Sequence, residues 1–163
     1  MAIIRILHPQ DYPEVRAIYE EGIQSGIATF TPQAPEWEGW DKAHLPVCRL
    51  AAEVEHQVVG WAALTPYSAR DVYKGVAEES IYVASSMRGQ GIGKELLETL
   101  AMVSEHQGFW TLQAGIFEEN TASIHLHNVC GFEVVGIRER IGCIKGVWKN
   151  IVLMERRSNW VGC

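Results

Sequence analysis

A β-prone run, Ser80-Ile81-Tyr82-Val83, gives way within five residues to Arg88-Gly89-Gln90-Gly91-Ile92-Gly93-Lys94, and the chain then turns amphipathic. From Ile92 onward Leu96, Leu97, Leu100 and Val103 recur at spacings of three and four, which predicts a helix ending near Gly108. A strand, a glycine turn and a helix therefore follow one another here. Glycine lets backbone approach a ligand closely, and the first N–H groups of a helix have no partner within it. Together with the positive end of the helix dipole, they make a place for phosphate. Lys and Arg number 14 against 20 Asp and Glu, a net charge of −6, so nothing draws nucleic acid or anionic lipid to the surface at large. Any polyanion must be caught by local geometry, helped by Arg88 and Lys94. Glu95 follows Lys94 where a P-loop needs Ser or Thr, and a G-x-G-x-x-G fingerprint begun at Gly89 would end on Lys94. Both nucleotide motifs fail, and taken alone the segment also reads as a glycine-rich turn without a ligand.

The rest of the chain gives that turn its setting. Ala2–Leu7 reads as a strand, Asp11 as the cap of a helix to about Ser25, and Gly26 as its end. An irregular stretch through Phe30 precedes a short helix with Pro35 in its first turn and Trp37 and Trp40 on it. Arg49–Val54 and Val58–Leu64 form a predicted hairpin, Val76–Val83 a third strand and Trp110–Ile116 another. A helix starting at Asn120 or Thr121 turns Ile124 and Val129 inward and ends at Gly131; Phe132–Arg140 and Val147–Arg156 are the last strands. The order β-α-α-β-β-β-α-β-α-β-β predicts an α/β (α+β) chain, a mixed sheet with helices on both faces. At 163 residues, residues 1–163 are expected to form a single domain. No apolar run reaches the ~18–20 residues of a membrane span, and Met1–Arg5 lacks the long apolar stretch of an export signal. The expectation is a cytoplasmic protein with no membrane partner. Its four dispersed cysteines, Cys48, Cys130, Cys143 and Cys163, are read as reduced thiols with no metal.

Arg88-x-x-Gly91-x-Gly93 after a Val-rich strand resembles the pyrophosphate-binding motif of the GCN5-related N-acetyltransferases. Downstream, Asn120-Thr121-Ala122-Ser123-Ile124-His125-Leu126-His127-Asn128-Val129-Cys130-Gly131-Phe132 looks like that superfamily's second segment, in the family's order and separation. Ala69–Tyr73, Ala77–Val83, Gly146-Val147-Trp148, Thr29-Phe30 with Pro32, and His127 are similar to the phosphinothricin acetyltransferase branch, so the likeness runs from Ile3 to Glu155. It implies the GNAT fold: a mixed, mostly antiparallel central sheet of six to seven strands with a splay between two parallel strands. It also implies acetyl-CoA as donor substrate, and a homodimer.

Acetyl transfer to an amine requires a held donor, a deprotonated amine, a stabilised oxyanion and a thiolate that can leave. By resemblance, Ile81, Tyr82 and Val83 hold the donor's pantetheine arm and the run Arg88, Gly89, Gln90, Gly91, Ile92, Gly93 and Lys94 its pyrophosphate. Asn120 and Ser123 meet the arm from the next helix. Glu78 is the candidate base; an exposed carboxyl near pKa ~4.3 is a poor base for an ammonium, so burial or a water relay has to help. Its neighbour Glu79 points to the opposite side of the strand and reads as an exposed carboxylate. His127 is the candidate acid for the leaving thiolate, or else a histidine that packs against the donor; His125 lies two residues away on another face, which argues against a metal pair.

For the acceptor, the resemblance points to Phe30, Ser68, Arg70, Tyr73, Glu78 and Ser80, with Arg70 suited to a carboxylate. Trp37 and Trp148 read as packing residues. Gly142-Cys143-Ile144-Lys145-Gly146 departs from the branch, with Ile144 where lysine is common, and Asn150 replaces a frequent aspartate. The expected activity is acetyl-CoA-dependent N-acetylation of a small amino-acid-like amine of the phosphinothricin, methionine sulfoximine or methionine sulfone type. The alternatives are another amine (antibiotic, polyamine or protein N-terminus) and a non-catalytic acyl-CoA-binding module.

Overall fold

The computed structural model describes residues Met1–Cys163. Seven strands, β1 (Ile3–Ile6), β2 (Leu50–Val54), β3 (Gln57–Pro66), β4 (Val76–Val83), β5 (Thr111–Phe117), β6 (Glu133–Ile144) and β7 (Val147–Arg157), form one sheet in the order β1-β2-β3-β4-β5-β7-β6. Every neighbouring pair is antiparallel except β4 and β5. The helices are α1 (Tyr12–Ser25), α2 (Trp37–Ala43), α3 (Ile92–His106) and α4 (Thr121–Val129). The expected mixed, mostly antiparallel sheet with one parallel junction is borne out. No helix is long and apolar enough to cross a membrane.

The parallel junction is short. β4 and β5 pair only at Val76↔Thr111, Ala77↔Leu112 and Glu78↔Gln113. Beyond Glu78 the strands part: β4 continues along β3 as far as Gly60↔Val83, while β5 follows β7 to Phe117↔Ile151. At the root of the fork the Gly75 carbonyl accepts from both Trp110 N (2.8 Å) and Thr111 N (3.1 Å). A Cβ on Gly75 would come within 2.0 Å of the Trp110 ring, so glycine is what lets the fork close there.

β3 is apolar almost without interruption because it is covered on both faces. Tyr12, Val15 and Ile18 of α1 and Trp40 of α2 pack with Trp61 on one side. Leu96, Leu97 and Leu100 of α3 pack on the other with Leu64, Ala77, Leu112, Phe132 and Met154. The β2–β3 turn carries positive φ at both central residues, Glu55 and His56, as a tight hairpin turn requires.

Several local expectations need correction. Asp11 precedes α1 without a side-chain cap bond, because its carboxylate is taken by Arg5 (2.8 and 2.9 Å) and the His8 amide (2.7 Å). Pro35 lies before α2 rather than in its first turn. Val129 is exposed, and His127 and Leu126 turn inward instead. Trp148, read as a packing residue, stands out in solvent, whereas Trp37 does pack, against Tyr12 and Trp40. All four cysteines are unpaired, and Cys130 belongs to the core.

Candidate active site

Because β4 and β5 diverge, the backbone edge of β4 that faces β5 has no strand beside it after Glu78, so alternate amides and carbonyls there are free to bind a ligand. The fork opens into a cavity of about 1190 Å³ that runs from the start of α3 along β4 to Phe30 and β6. That exceeds the ~300–1,000 Å³ of a site for one drug-sized molecule. A large donor and a second substrate have room together.

At the α3 end, Gly89 (φ 76°) and Gly91 (φ 82°) take the left-handed conformation that glycine adopts without strain. Gly91 is the last residue before the helix, and Glu95 is the first whose amide finds a carbonyl one turn back, on Gly91 (3.1 Å). The amides of Ile92, Gly93 and Lys94 therefore have no helical partner. Nothing lies within 4 Å of where a Cβ would stand on Gly89 or Gly91, so a bulky anion can settle on the loop. Gly93 is glycine for another reason, since its Cβ would press on Leu126 of α4 at 3.2 Å. Arg88 and Lys94 are exposed cations on this rim, with Lys94 Nζ 3.8 Å from Glu98. The loop fits a diphosphate.

Further along, strand alternation divides β4 into two sets. Tyr82 meets the α1 face, stacked on Trp61 with ring centroids 5.0 Å apart and beside Tyr19 at 5.0 Å. Glu78 and Ser80 share that side. Ala77, Ile81 and Val83 pack with the α3 core, and Glu79 points the same way. Glu78 is half-buried, and burial first, then the neighbouring Glu79 charge, push its pKa up. On β5, two residues past its partner Gln113, stands Gly115, where a Cβ would lie 3.3 Å from Glu78 Oε1; the glycine leaves room for the carboxylate.

Glu79 is buried rather than exposed, which corrects the reading from sequence: its carboxylate accepts from His127 Nε2. His127 is itself buried, with Nδ1 2.7 Å from the Ser123 carbonyl and 3.4 Å from the Ser123 hydroxyl, and its ring set edge-on to Phe132. Burial opposes the charged imidazolium, but the Glu79 carboxylate beside it outweighs that and leaves its pKa raised. His125 is exposed, on a different face of α4. Asn120 Oδ1 caps α4 by accepting from Ser123 N (3.2 Å), while its Nδ2 donates to Ile27 O (3.3 Å) across the cavity.

The far end is aromatic and hydroxylated. Phe30 sits 4.7 Å from Phe117 and would meet a Cβ on Gly142 at 2.5 Å, and Tyr19 OH donates to Thr31 (3.1 Å). His44 also lines the cavity, kept toward its neutral form by burial. The altered loop contributes Ile141, Gly142 and Cys143 to the wall, while Asn150 braces the β6 bulge by accepting from Arg140 N (2.8 Å) and donating to Glu118 (2.7 Å).

The cavity thus gathers Glu78, His127, Ile81, Tyr82, Val83, Arg88, Gly89, Gly91, Ile92, Gly93, Lys94, Asn120, Ser123, Phe30 and Ser80. Gln90, Ser68, Arg70 and Tyr73 are not part of its wall. Arg70 is exposed on the loop after β3, its amide bound to Ser68 Oγ (3.1 Å) and its guanidinium 5.5 Å over the Tyr73 ring. Sequence reasoning missed Gly115, the Tyr19–Thr31 pair and the role of Glu79. The signal for Glu79 was present, since alternation from apolar Ile81 and Val83 aims it into the core.

Comparison with known proteins agrees with this fold. The family model described as acetyltransferase (GNAT) family matches residues 12–132. A phosphinothricin N-acetyltransferase of Alcaligenes faecalis is 34% identical, over 96% of this chain and 82% of that protein. An L-methionine sulfoximine/L-methionine sulfone acetyltransferase of Pseudomonas paraeruginosa is 30% identical, over 94% of this chain and 93% of its own. The crystal structure of a GNAT superfamily phosphinothricin acetyltransferase from Sinorhizobium meliloti, in complex with acetyl-CoA, superposes with a TM-score of 0.87 at 27% identity, covering 99% of this chain and 95% of that one.

Proposed function

Because the chain belongs to the acetyltransferase (GNAT) family, we propose that it moves the acetyl group of acetyl-CoA onto the amine of a small amino-acid-like acceptor, of the phosphinothricin, methionine sulfoximine or methionine sulfone type. The observation that carries this is a single cavity with unpaired helix amides at one end and a half-buried carboxylate, Glu78, in the wall of the fork. Acetyl-CoA supplies an activated thioester. The amides of Ile92, Gly93 and Lys94, with Arg88 and Lys94 nearby, suit its diphosphate. The free edge of Ile81–Val83 suits the amide-rich arm, and a free strand N–H suits the thioester oxygen.

Glu78 takes the ammonium proton directly or through a water; its raised pKa makes it a better base than an exposed glutamate. Tyr19, Thr31 and Ser80 offer hydroxyls to an acceptor's polar groups, and Phe30 closes the end of the pocket. Incubation of the protein with acetyl-CoA and each of the three amines should release free CoA thiol; no release with any of them overturns the assignment.

A second reading, an acceptor without a carboxylate, draws support from one observation: Arg70 lies outside the cavity wall, and the Arg and Lys side chains that line it, Arg88 and Lys94, stand at the α3 rim. Arg70→Ala decides. If the loop swings the guanidinium onto an amino-acid acceptor, KM for carboxylate-bearing amines rises about tenfold, while amines lacking one are unaffected. An unchanged KM for both favours the second reading.

The assembly is read as a homodimer on the strength of β6, an edge strand whose Val134, Val135, Ile137 and Ile141 are exposed next to Val147 and Trp148 of β7. Light scattering should give twice the chain mass, and Ile137→Lys should halve it. A monomeric unaltered protein contradicts this assembly.

A further inference from the structure

His44 follows α2 directly, and its ring lines the cavity. The ring packs on Trp40 with centroids 4.2 Å apart and stands edge-on to Trp61 at 5.9 Å. Its Nδ1 lies 2.7 Å from the Trp40 carbonyl. A carbonyl only accepts, so Nδ1 carries the hydrogen, and in the neutral ring Nε2 keeps a lone pair. Burial disfavours the imidazolium more than the Trp40 carbonyl favours it, and the Arg49 charge adds to the effect of burial, so the ring stays neutral. Nε2 has no partner in the protein and is the ring nitrogen left to the cavity.

The segment that carries the ring is clamped. Arg49 donates to the Leu45 carbonyl (2.7 Å), the His44 carbonyl (2.9 Å), the Asp41 carbonyl (2.9 Å) and Asp41 Oδ1 (2.6 Å). Leu45 N donates to the Leu64 carbonyl at 2.8 Å, so this segment runs beside β3 on the side away from β4. Thr65 comes next on β3, facing α1 like Trp61 and Ala63 before it, and pairs directly with Glu78 of β4. His44, Thr65 and Glu78 therefore stand side by side on the α1 face, each on a different chain segment. Neighbouring segments of a sheet lie about 4.8 Å apart, which puts the backbones of His44 and Glu78 roughly 10 Å from each other. The ionisation of each is set by other groups: Glu78 by burial and Glu79, His44 by burial, the Trp40 carbonyl and Arg49. An amine nitrogen held at Glu78 thus leaves His44 to another part of the same acceptor.

We propose that His44 Nε2 reads the tail of the acceptor, accepting a hydrogen bond from an N–H group there, and so selects a sulfoximine over a sulfone or a phosphinate. This rests on the acetyl-transfer reading above and narrows its acceptor. Sulfoximine and sulfone differ by a single swap, NH for oxygen, on the same tetrahedral sulfur. The swap nearly preserves shape but turns a donor into a lone pair. The sulfur oxygen common to both can accept from a cavity hydroxyl, such as that of Thr31 or Ser80, and does not tell them apart. A sulfone sets a second oxygen against Nε2 with no hydrogen between them. A phosphinate, ionised at neutral pH, does the same with a negative charge. Moving the ring hydrogen to Nε2 gives no escape, because Nδ1 would then turn a lone pair onto the Trp40 carbonyl.

Initial rates with acetyl-CoA and each of L-methionine sulfoximine, L-methionine sulfone and phosphinothricin test this. kcat/KM should favour the sulfoximine over the other two by about tenfold or more, since a site built to bind an N–H discriminates against an analogue lacking it. His44→Gln puts an amide in the same space, and an amide can turn either its NH₂ or its oxygen to the tail. The preference should then shrink to about threefold or less, with KM for acetyl-CoA within about twofold. A second measurement needs no variant. In ¹⁵N-histidine-labelled protein at neutral pH, Nε2 should read as a nitrogen without hydrogen. Adding the sulfoximine to the coenzyme A-bound protein should shift that signal upfield, as a hydrogen bond to the lone pair does, and the sulfone should not. Equal or faster turnover of the sulfone or of phosphinothricin, an unchanged preference in His44→Gln, or an unmoved Nε2 signal overturns selection by His44 while acetyl transfer stands. A protein that acetylates none of the three overturns the acetyl-transfer reading, and this inference with it.

Discussion

Glu78→Gln should lower kcat by about 10²–10⁴-fold, the usual contribution of a positioned general base, with KM for acetyl-CoA unchanged. The split follows from where the side chain stands. Glu78 is the last β4 residue paired with β5, on the α1 face of the strand rather than the α3 face, while the donor's diphosphate would sit at the other end of the cavity. Gln preserves the shape against Gly115 and removes the proton acceptor. The pH profile of kcat/KM carries the same signature. Burial and the Glu79 charge raise Glu78 above its ordinary value, and the base works only when ionised, so the acid limb should fall at a pH above the ~4.3 of a free glutamate. An equal drop in donor affinity, or a kcat within a few-fold of normal, would remove Glu78 from the role of base.

Gly75→Ala should destabilise the fold by about 1–3 kcal/mol, the cost of forcing a methyl into filled space. The new Cβ would stand 2.0 Å from Trp110 Cε3 and 2.3 Å from Cζ3, so the indole or the strand has to move. Trp110 is itself closely surrounded, since even a Cβ on Gly162 would stand 2.9 Å from its own Cβ, and its carbonyl accepts from Ser158 N. For a chain of this size the loss corresponds to a fall in Tm of roughly 2–4 °C per kcal/mol. Because the Gly75 carbonyl holds both Trp110 and Thr111, the disturbance lands where β4 and β5 begin to part, and activity should fall with stability. Thermal unfolding followed by circular dichroism measures it; an unchanged Tm would mean that the fork does not depend on the glycine.

The glycine turn and the helix after it were legible because both rest on local rules. Apolar spacing set α3, unpaired amides marked its start, and the structure begins the helix at Ile92 as the pattern predicts. The hairpin at Glu55–His56 and the last two strands were legible for the same reason, although β6 runs on to Ile144 and β7 to Arg157. What failed depended on partners distant in sequence. Nothing near Asp11 announces that Arg5 takes its carboxylate. Glu79 read as a surface charge because its histidine lies 48 residues away. Trp148 read as packing because large aromatic residues usually do, yet it lies at the open side of the sheet. Arg70 was matched to the acceptor by resemblance, and its loop holds it over Tyr73 outside the cavity wall, so family likeness located the segment without its side-chain direction.

Everything proposed for the chemistry depends on α3 offering its first amides to the donor. Titrating coenzyme A into ¹⁵N-labelled protein reads those amides one by one. The signals of Gly91, Ile92, Gly93 and Lys94 should move together and saturate, and pantetheine, which lacks the diphosphate, should leave them in place. If coenzyme A binds while these four signals stay still, or if it does not bind at all, the donor is not held by this helix.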